Sequence, residues 1–158
     1  MGRISIYCGT GRGKTPAAFG EALRRASQGD SVVIIQFLKG KAVPENDIMK
    51  RLEPEIKIFR FEKSDSNFDT LSKQQQDEEK VNIINGLNFA RKVLSTGECD
   101  LLVLDEILGI VDNGIMDVSE LIDALNQRSE NMDVIMTGIE LDDRIKAISD
   151  RISGISNI

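Results

Sequence analysis

The chain has 158 residues, of which 41% are hydrophobic and 29% are charged, and its formal net charge is −6. This length and composition predict a single globular domain over residues 1–158, with one core of ordinary size. The acidic balance argues against a nucleic-acid partner, because a general nucleic-acid-binding protein carries a basic face. The longest apolar runs fall far short of the ~18 residues of a membrane span, so no membrane partner is expected.

The cysteine and histidine content limits the chemistry available to the chain. The two cysteines, Cys8 and Cys99, stand in unrelated contexts, and the chain has no histidine, so a zinc site is not expected. Mechanisms that need an imidazole base are excluded for the same reason. Reduced thiols and an N-terminus without a signal-peptide pattern predict a cytoplasmic protein.

Strands and helices are predicted to alternate along the first half of the chain. A β-branched and aromatic run predicts a strand at 4–8, and a near-continuous apolar run predicts a central parallel strand at 31–37. Between them an amphipathic helix is predicted, with an apolar face made of Ala18, Ala22, Ala26, Phe19 and Leu23. Then follow a short helix at 44–52, a strand at 56–61 and a polar loop at 62–72.

The same alternation continues in the second half. A long helix is predicted over 76–94, with apolar positions at Val81, Ile84, Leu87, Ala90 and Leu94. Strands are predicted at 101–105 and 133–137, and an edge strand is predicted within 151–158. Asp117 and Glu120 resemble a capping box before a helix that buries Val118, Leu121, Ile122 and Leu125, and Leu141, Ile145 and Ile148 predict a last short helix. The predicted fold class is α/β, an open, mostly parallel, doubly wound sheet with helices on both faces.

The stretch CGTGRGKTP, residues 8–16, resembles a phosphate-binding loop with two unusual positions. In the pattern G-x-x-x-x-G-K-[ST] the first glycine is replaced by Cys8, and Pro16 follows the threonine, which removes one donor and one hydroxyl. A glycine-rich turn between a strand and a helix exposes N–H groups to an anion, and Lys14 adds a mobile positive charge. Triphosphate binding is therefore predicted for Gly9, Thr10, Gly11, Arg12, Gly13, Lys14, Thr15 and Pro16.

Two carboxylates are predicted to complete a nucleotide site. Asp105 and Glu106 follow the buried strand at 101–105, and the carboxyl ends of parallel strands are where ligands bind in doubly wound sheets. The Thr15 hydroxyl and these two carboxylates are the predicted Mg²⁺ ligands. The alternative is an acidic strand end that simply faces solvent.

The chain also resembles the ATP:corrinoid adenosyltransferases of the P-loop type. The stretch GTGRGKTPAAFGEALRRA is similar to the family's GNGKGKTTAAFGLALRA, and VIIQFLKG (33–40) is similar to its V-x-V-x-Q-F-x-K-G. LLVLDEI (101–107) matches the family's strand ending in Asp-Glu, and VIMTG (134–138) matches its V-I-I-T-G. The similarity covers roughly residues 3–40 and 98–152, and it implies the RecA-like arrangement of P-loop NTPases.

The resemblance implies a reaction that is unusual for a P-loop. The Co(I) centre of a corrinoid attacks the 5′ carbon of ATP, and the whole triphosphate leaves. In the roles that the resemblance implies, Lys14, Thr15 and Glu106 are catalytic, Gln36, Phe37 and Lys39 border the site, and Phe68 meets the corrinoid. A loop anchor packed on the core is an equal reading of Phe68. The resemblance also implies Mg²⁺, a flavoprotein reductase as electron donor and a homodimer.

Four departures from the family pattern leave two alternatives open. Pro16 replaces a threonine, Leu108 a polar residue and Ile139 an arginine, and no Lys-His pair follows the last predicted strand. One alternative is a related protein that binds ATP or a corrinoid without turnover and has a regulatory role. The other is an unrelated small P-loop ATPase or kinase, for which no zinc cysteines and no arginine-rich lid are evident.

Overall fold

A computed structural model describes residues 1–38, 47–64 and 66–158 of the chain. The described strands are β1 (Ile4–Cys8), β2 (Val32–Gln36), β3 (Ile56–Arg60), β4 (Leu101–Asp105), β5 (Asp133–Gly138) and β6 (Arg151–Gly154). The described helices are α1 (Lys14–Ser27), α2 (Asp47–Lys50), α3 (Lys73–Thr96), α4 (Ile107–Asp112), α5 (Val118–Asn126) and α6 (Asp143–Ile148), with a 3₁₀ turn at Phe68–Thr70.

The six strands form one sheet in the order β3-β2-β4-β5-β1-β6, and every pair of neighbours is parallel. The predicted α/β class and doubly wound sheet are therefore confirmed. Every residue of β2 and of β4 is buried, as the continuous apolar runs predicted for central strands. The carboxyl ends of the inner strands meet at one edge of the sheet, and the site lies there.

The helices divide the core into two parts, one on each face of the sheet. On one face, Ala18 and Ala22 of α1 pack against Val32, Ile34 and Val103. On the opposite face, α3, α4, α5 and α6 cover the larger cluster, which includes Ile6, Ile35, Leu87, Leu104, Leu121 and Ile145. No helix within the described residues combines the length and the apolar character that a membrane crossing requires.

The apolar face predicted for the long helix is only partly correct. α3 begins at Lys73, earlier than predicted, because Ser72 and Gln75 form a capping box. Its buried stripe includes Ile83, Leu87, Ala90 and Leu94, spaced to face the sheet. Val81 and Ile84, which were predicted to be buried, are 59% and 48% exposed because they lie off that stripe.

Two smaller expectations also need correction, and one short helix was not predicted. Leu23 is 50% exposed, so the core side of α1 consists mainly of its alanines. Asp117 is the N-cap of α5, but its side chain makes no cap hydrogen bond and instead accepts one from the Ser119 hydroxyl. The short helix α4 was not predicted, since its six residues follow directly on the acidic end of β4. The helix predicted over 44–52 is seen as α2, and residues 44–46 lie outside the described residues.

Candidate nucleotide-binding site

The predicted phosphate loop connects β1 to α1 and has the backbone geometry of a glycine-rich turn. Gly9 and Gly13 have φ values of 120° and 112°, which L side chains adopt only with strain. Gly13 is the N-cap of α1, so Lys14 and Thr15 occupy the first turn of the helix. Lys14 Nζ donates to the carbonyl oxygen of Gly11 at 2.9 Å, across the loop. Pro16 is accommodated in this first turn, as expected for proline.

Asp105 joins the loop to the sheet. Its carboxylate is fully buried and accepts hydrogen bonds from three elements. Thr15 Oγ1 lies 2.9 Å from Oδ1, Thr137 Oγ1 donates to Oδ1 at 2.7 Å, and Gln36 Nε2 donates to Oδ2 at 3.1 Å. The Thr15 hydroxyl and the last residue of β4 are therefore in direct contact, and their joint role as Mg²⁺ ligands stays a prediction.

The register of the sheet explains this convergence. Gln36 is aligned with Asp105 across β2 and β4, and Arg60 is aligned with Gln36 across β3 and β2. Gln36 is buried, and its Oε1 accepts a hydrogen bond from Arg60 Nε at 2.5 Å. A row of polar side chains thus runs from β3 to the buried carboxylate, and each member fixes the orientation of the next.

Glu106 occupies a turn between β4 and α4. Its φ is 65°, in the left-handed region that is rare for residues other than glycine, asparagine and aspartate. The Glu106 N–H donates to Thr137 Oγ1 at 2.8 Å, and this bond holds the turn against β5. Such strained positions often occur at functional sites, which makes Glu106 a stronger candidate than its place in the sequence alone.

The structure places some of the remaining predicted site residues, but not all of them. Thr10 and Arg12 are exposed on the loop, and Pro16 is exposed in the first turn of α1. Lys39 lies outside the described residues. Phe68 is half-buried in the 3₁₀ turn and packs against the core, and its carbonyl accepts a hydrogen bond from Gln76. This packing agrees with the loop-anchor reading, and a contact of Phe68 with a corrinoid stays a prediction.

A buried carboxyl borders the site at the end of β3. Glu62 is 6% exposed, and its Oε1 accepts a hydrogen bond from the Leu38 N–H at 3.1 Å. Its Oε2 is buried and has no hydrogen-bond partner within the part of the chain that the structure describes. Burial, aided by the nearby negative charge of Glu79, raises the pKa of Glu62 to about 7. Glu79 itself is buried and accepts from the Lys63 N–H.

Sequence reasoning missed three contributors to the site. Thr137 is not among the predicted site residues and belongs only to the matching stretch VIMTG (134–138), yet its hydroxyl contacts both Asp105 and Glu106. Arg60 is not among the predicted site residues, although a polar residue at the carboxyl end of a predicted parallel strand is a signal for such a place. Residues 155–157, which contact the phosphate loop, gave no recognisable signal because they contain no familiar motif.

One of the four departures, Leu108, has a simple structural explanation, and nothing in the structure explains isoleucine at position 139. Leu108 is 2% exposed, and a Cβ on Gly138 would lie 2.4 Å from the Leu108 Cβ, so the two residues pack directly together. Leucine at this position therefore fills the core next to the end of β5. Ile139 follows Gly138 and is 51% exposed at the carboxyl edge of the sheet. The carbonyl oxygens of Gly138 and Ile139 both accept the Gly9 N–H.

A parallel sheet, a glycine-rich loop before α1 and a buried aspartate bonded to the loop threonine together define a P-loop nucleotide-binding protein. The family model described as "ATP:corrinoid adenosyltransferase BtuR/CobO/CobP" matches residues 1–158. The chain belongs to this family of transferases.

Relatives with known names agree with this assignment. The chain is 30% identical over 152 residues to the corrinoid adenosyltransferase of Escherichia coli K12, a match that covers 96% of this chain and 75% of the relative. It is 31% identical over 137 residues to the corrinoid adenosyltransferase CobA of Salmonella typhimurium, covering 87% and 67%. A KaiC-like protein from Pyrococcus horikoshii has a similar fold, with a TM-score of 0.55, 16% identity and coverage of 99% and 74%.

Proposed function

We propose that this protein transfers the 5′-deoxyadenosyl group of ATP to the Co(I) centre of a corrinoid and releases tripolyphosphate. The observation that carries the proposal is the contact between Thr15 and Asp105, which brings the phosphate loop against the acidic end of β4. The match of the whole chain to the adenosyltransferase family supports the choice of this reaction among those that P-loops catalyse.

In this proposal the loop stabilises a leaving group. A Co–C bond forms at the 5′ carbon as the C–O bond to the triphosphate breaks, and the triphosphate leaves with the bonding electron pair. The N–H groups around Gly13 and the ammonium group of Lys14 would stabilise the charge that develops on the departing oxygen. Lys14 would exchange its bond to the Gly11 carbonyl for one to the phosphates. The reaction needs no protein base, which agrees with a chain that lacks histidine.

The residues at the loop suit a magnesium ion held together with phosphates. Mg²⁺ prefers oxygen ligands and is usually bound through one or two protein groups plus phosphate oxygens. The hydroxyl of Thr15 and the carboxylates of Asp105 and Glu106 supply such oxygens at the carboxyl end of β4. Bound there, the ion would neutralise charge on the leaving triphosphate. Thr15, Asp105 and Glu106 are the proposed ligands, and Glu106 has the proposed catalytic role.

The corrinoid is proposed to bind beside the carboxyl ends of β2 and β3. Gln36 donates a hydrogen bond to Asp105, which also contacts the phosphate loop. A ligand that binds near Gln36 would therefore have a defined position relative to the phosphates. Lys39 follows β2 by three positions and is proposed to border the site. Phe68 lies in the loop after β3, where its ring could pack on a flat macrocycle while its other side remains against the core.

The cellular setting forms the last part of the proposal. Cys8 and Cys99 are both free thiols, which supports a reducing cytoplasm as the compartment. Reduction of the corrinoid cobalt to Co(I) requires an electron donor, for which a flavoprotein reductase is proposed. A homodimer is proposed on the family resemblance, and sedimentation equilibrium of the purified protein at several concentrations would test it.

A product analysis tests the function directly. The protein would be incubated in the dark with ATP, Mg²⁺ and chemically reduced cob(I)alamin, and the visible spectrum and tripolyphosphate would be measured. A light-sensitive Co–C product with equimolar tripolyphosphate is expected. Release of ADP or orthophosphate would instead indicate an ordinary ATPase or kinase. Tight ATP binding without any product would indicate a protein that binds ATP without turnover.

A further inference from the structure

The chain beyond β6 runs directly alongside the phosphate loop. The Ile155 N–H donates to the Cys8 carbonyl at 2.8 Å, which continues the pairing of β6 with β1. The Gly11 N–H then donates to the Ile155 carbonyl at 2.9 Å. The Arg12 N–H donates to the side-chain oxygen of Asn157 at 3.1 Å. Residues 155–157, called the C-terminal segment below, thus accept hydrogen bonds from two consecutive amides of the loop.

The loop glycines show how closely this segment packs. A Cβ on Gly9 would lie 2.3 Å from the Ile155 carbonyl oxygen, and a Cβ on Gly11 would lie 2.6 Å from the Ser156 Cα. A Cβ on Gly13 would meet nothing within 4 Å. Gly9 and Gly11 therefore leave room for the C-terminal segment, while Gly13 borders open space at the start of α1. One side of the loop is occupied by the chain itself, and the other side is available to a ligand.

The hydrogen bond between the Arg12 N–H and Asn157 lies where the loop leads into α1. Arg12 immediately precedes Gly13, whose left-handed conformation sets the direction of the first helical turn and hence of Lys14 and Thr15. A loop that is ordered before the ligand arrives loses less conformational entropy on binding. Asn157 is exposed and lies on the side away from the core, so its amide is not required for packing.

We propose that Asn157 is a positioning residue for the phosphate-binding loop. By accepting the Arg12 N–H, its side chain holds the loop in the conformation that receives the triphosphate, without contacting the triphosphate itself. The ligand class rests on the proposed function, whereas the ordering of the loop by Asn157 does not.

Two measurements on the full chain test this inference. In Asn157→Ala the dissociation constant for magnesium-ATP, measured by calorimetry without a corrinoid, should rise about three- to tenfold, as expected for the loss of one hydrogen bond. Exchange of the Arg12 amide hydrogen in the ligand-free protein, followed by NMR, should accelerate by a similar factor. The melting temperature should fall by no more than a few degrees, since one hydrogen bond to an exposed side chain is lost. Asn131→Ala, an exposed asparagine just before β5 at the opposite edge of the sheet, is the matched control.

Asn157→Asp provides a rescue in the exchange experiment. It keeps an acceptor for the Arg12 N–H, so slow exchange should be retained; ATP affinity is not compared for this variant, because the added charge would itself repel a triphosphate. If Asn157→Ala binds ATP as well as the unaltered chain and its Arg12 amide exchanges no faster, the inference is wrong. If the unaltered chain fails to bind ATP, the proposed function fails, and the exchange rates alone decide whether Asn157 orders the loop.

Discussion

The hydroxyl of Thr15 lies 2.9 Å from Oδ1 of Asp105, although 90 positions separate the two residues in the chain. Thr15 belongs to the first turn of α1, and Asp105 is the last residue of β4. The two halves of a P-loop site are therefore in direct contact. Because Asp105 is fully buried and also accepts from Gln36 and Thr137, its position is set by the sheet and not by the ligand.

Replacing Asp105 by asparagine should damage both stability and magnesium dependence. The amide nitrogen of the introduced side chain would face hydroxyl or amide groups that donate to the native carboxylate, and a buried donor without an acceptor costs about 1–3 kcal/mol. We expect the free energy of unfolding in urea to fall by that amount. ATP binding should also lose most of its dependence on Mg²⁺. Asp123→Asn on α5, away from the loop, should change neither quantity.

Loss of the Lys14 ammonium group should reduce ATP affinity with little effect on folding. Lys14 is only half-buried, and its Nζ donates to the Gly11 carbonyl of the loop. Charge-assisted bonds to phosphate are stronger than neutral ones, so Lys14→Ala should raise the dissociation constant of ATP by about tenfold or more. Calorimetry measures this, and Lys57→Ala, an exposed lysine on β3, is the control. Equal affinity in both variants would remove Lys14 from the proposed site.

Glu62 should make stability depend on pH in a defined direction. Its pKa rises from 4.5 to about 7 on folding, so between these values the folded chain holds a proton that the unfolded chain does not. Stability contributed by this group is therefore full below pH 4.5 and is lost as the pH rises through 7, by about 3 kcal/mol in total.

Glu62→Gln tests this dependence because glutamine keeps an acceptor for the Leu38 N–H and cannot ionise. Relative to the unaltered chain, the variant should be more stable in urea at pH 8, and this advantage should disappear near pH 4.5. Glu79 is the other carboxylate beside Glu62 and is left intact. Glu130→Gln removes an exposed carboxylate at the amino ends of the strands. Its stability relative to the unaltered chain should not change between pH 4.5 and pH 8.

Two glycine substitutions should have opposite effects on stability. Gly11→Ala would place a Cβ 2.6 Å from the Ser156 Cα, so we expect a loss of about 1–3 kcal/mol in stability and weaker ATP binding. Gly20 lies on the exposed side of α1, where a Cβ would meet nothing within 4 Å. Gly20→Ala should therefore increase stability by roughly 0.5–1 kcal/mol. Thermal unfolding of the two variants measures both effects. It separates the steric contact with Ser156 from the general effect of replacing glycine by alanine.

The sequence predicted those parts of the molecule that depend on local pattern. The strand at 101–105 and the phosphate loop were correctly placed because a buried parallel strand and a Gly-Lys-Thr turn each leave a continuous signal. The face of α3 was partly wrong, since Val81 and Ile84 are apolar yet lie off the stripe that meets the sheet. Periodicity gives the kind of element, but the phase of a long helix depends on the tertiary contacts it makes.

The contacts around Asp105 could not be predicted in the same way. Thr137 and Arg60 reach the site through the order and register of the strands, which no stretch of sequence records by itself. The contact between Asn157 and Arg12 joins residues 145 positions apart and depends on β6 pairing with β1. Such contributors become visible only when the sheet is assembled.

The C-terminal segment has a practical consequence for work with this protein. Asn157 is bonded to the phosphate loop, so any residues that follow Ile158 would begin beside the proposed site. A purification tag or fluorescent fusion at that end would compete for the same space and could disguise the affinity of the unmodified chain. Met1 is 78% exposed and precedes β1 at the opposite edge of the sheet. For the 158-residue chain, tags, surface immobilisation and reporter fusions are therefore better placed before Met1.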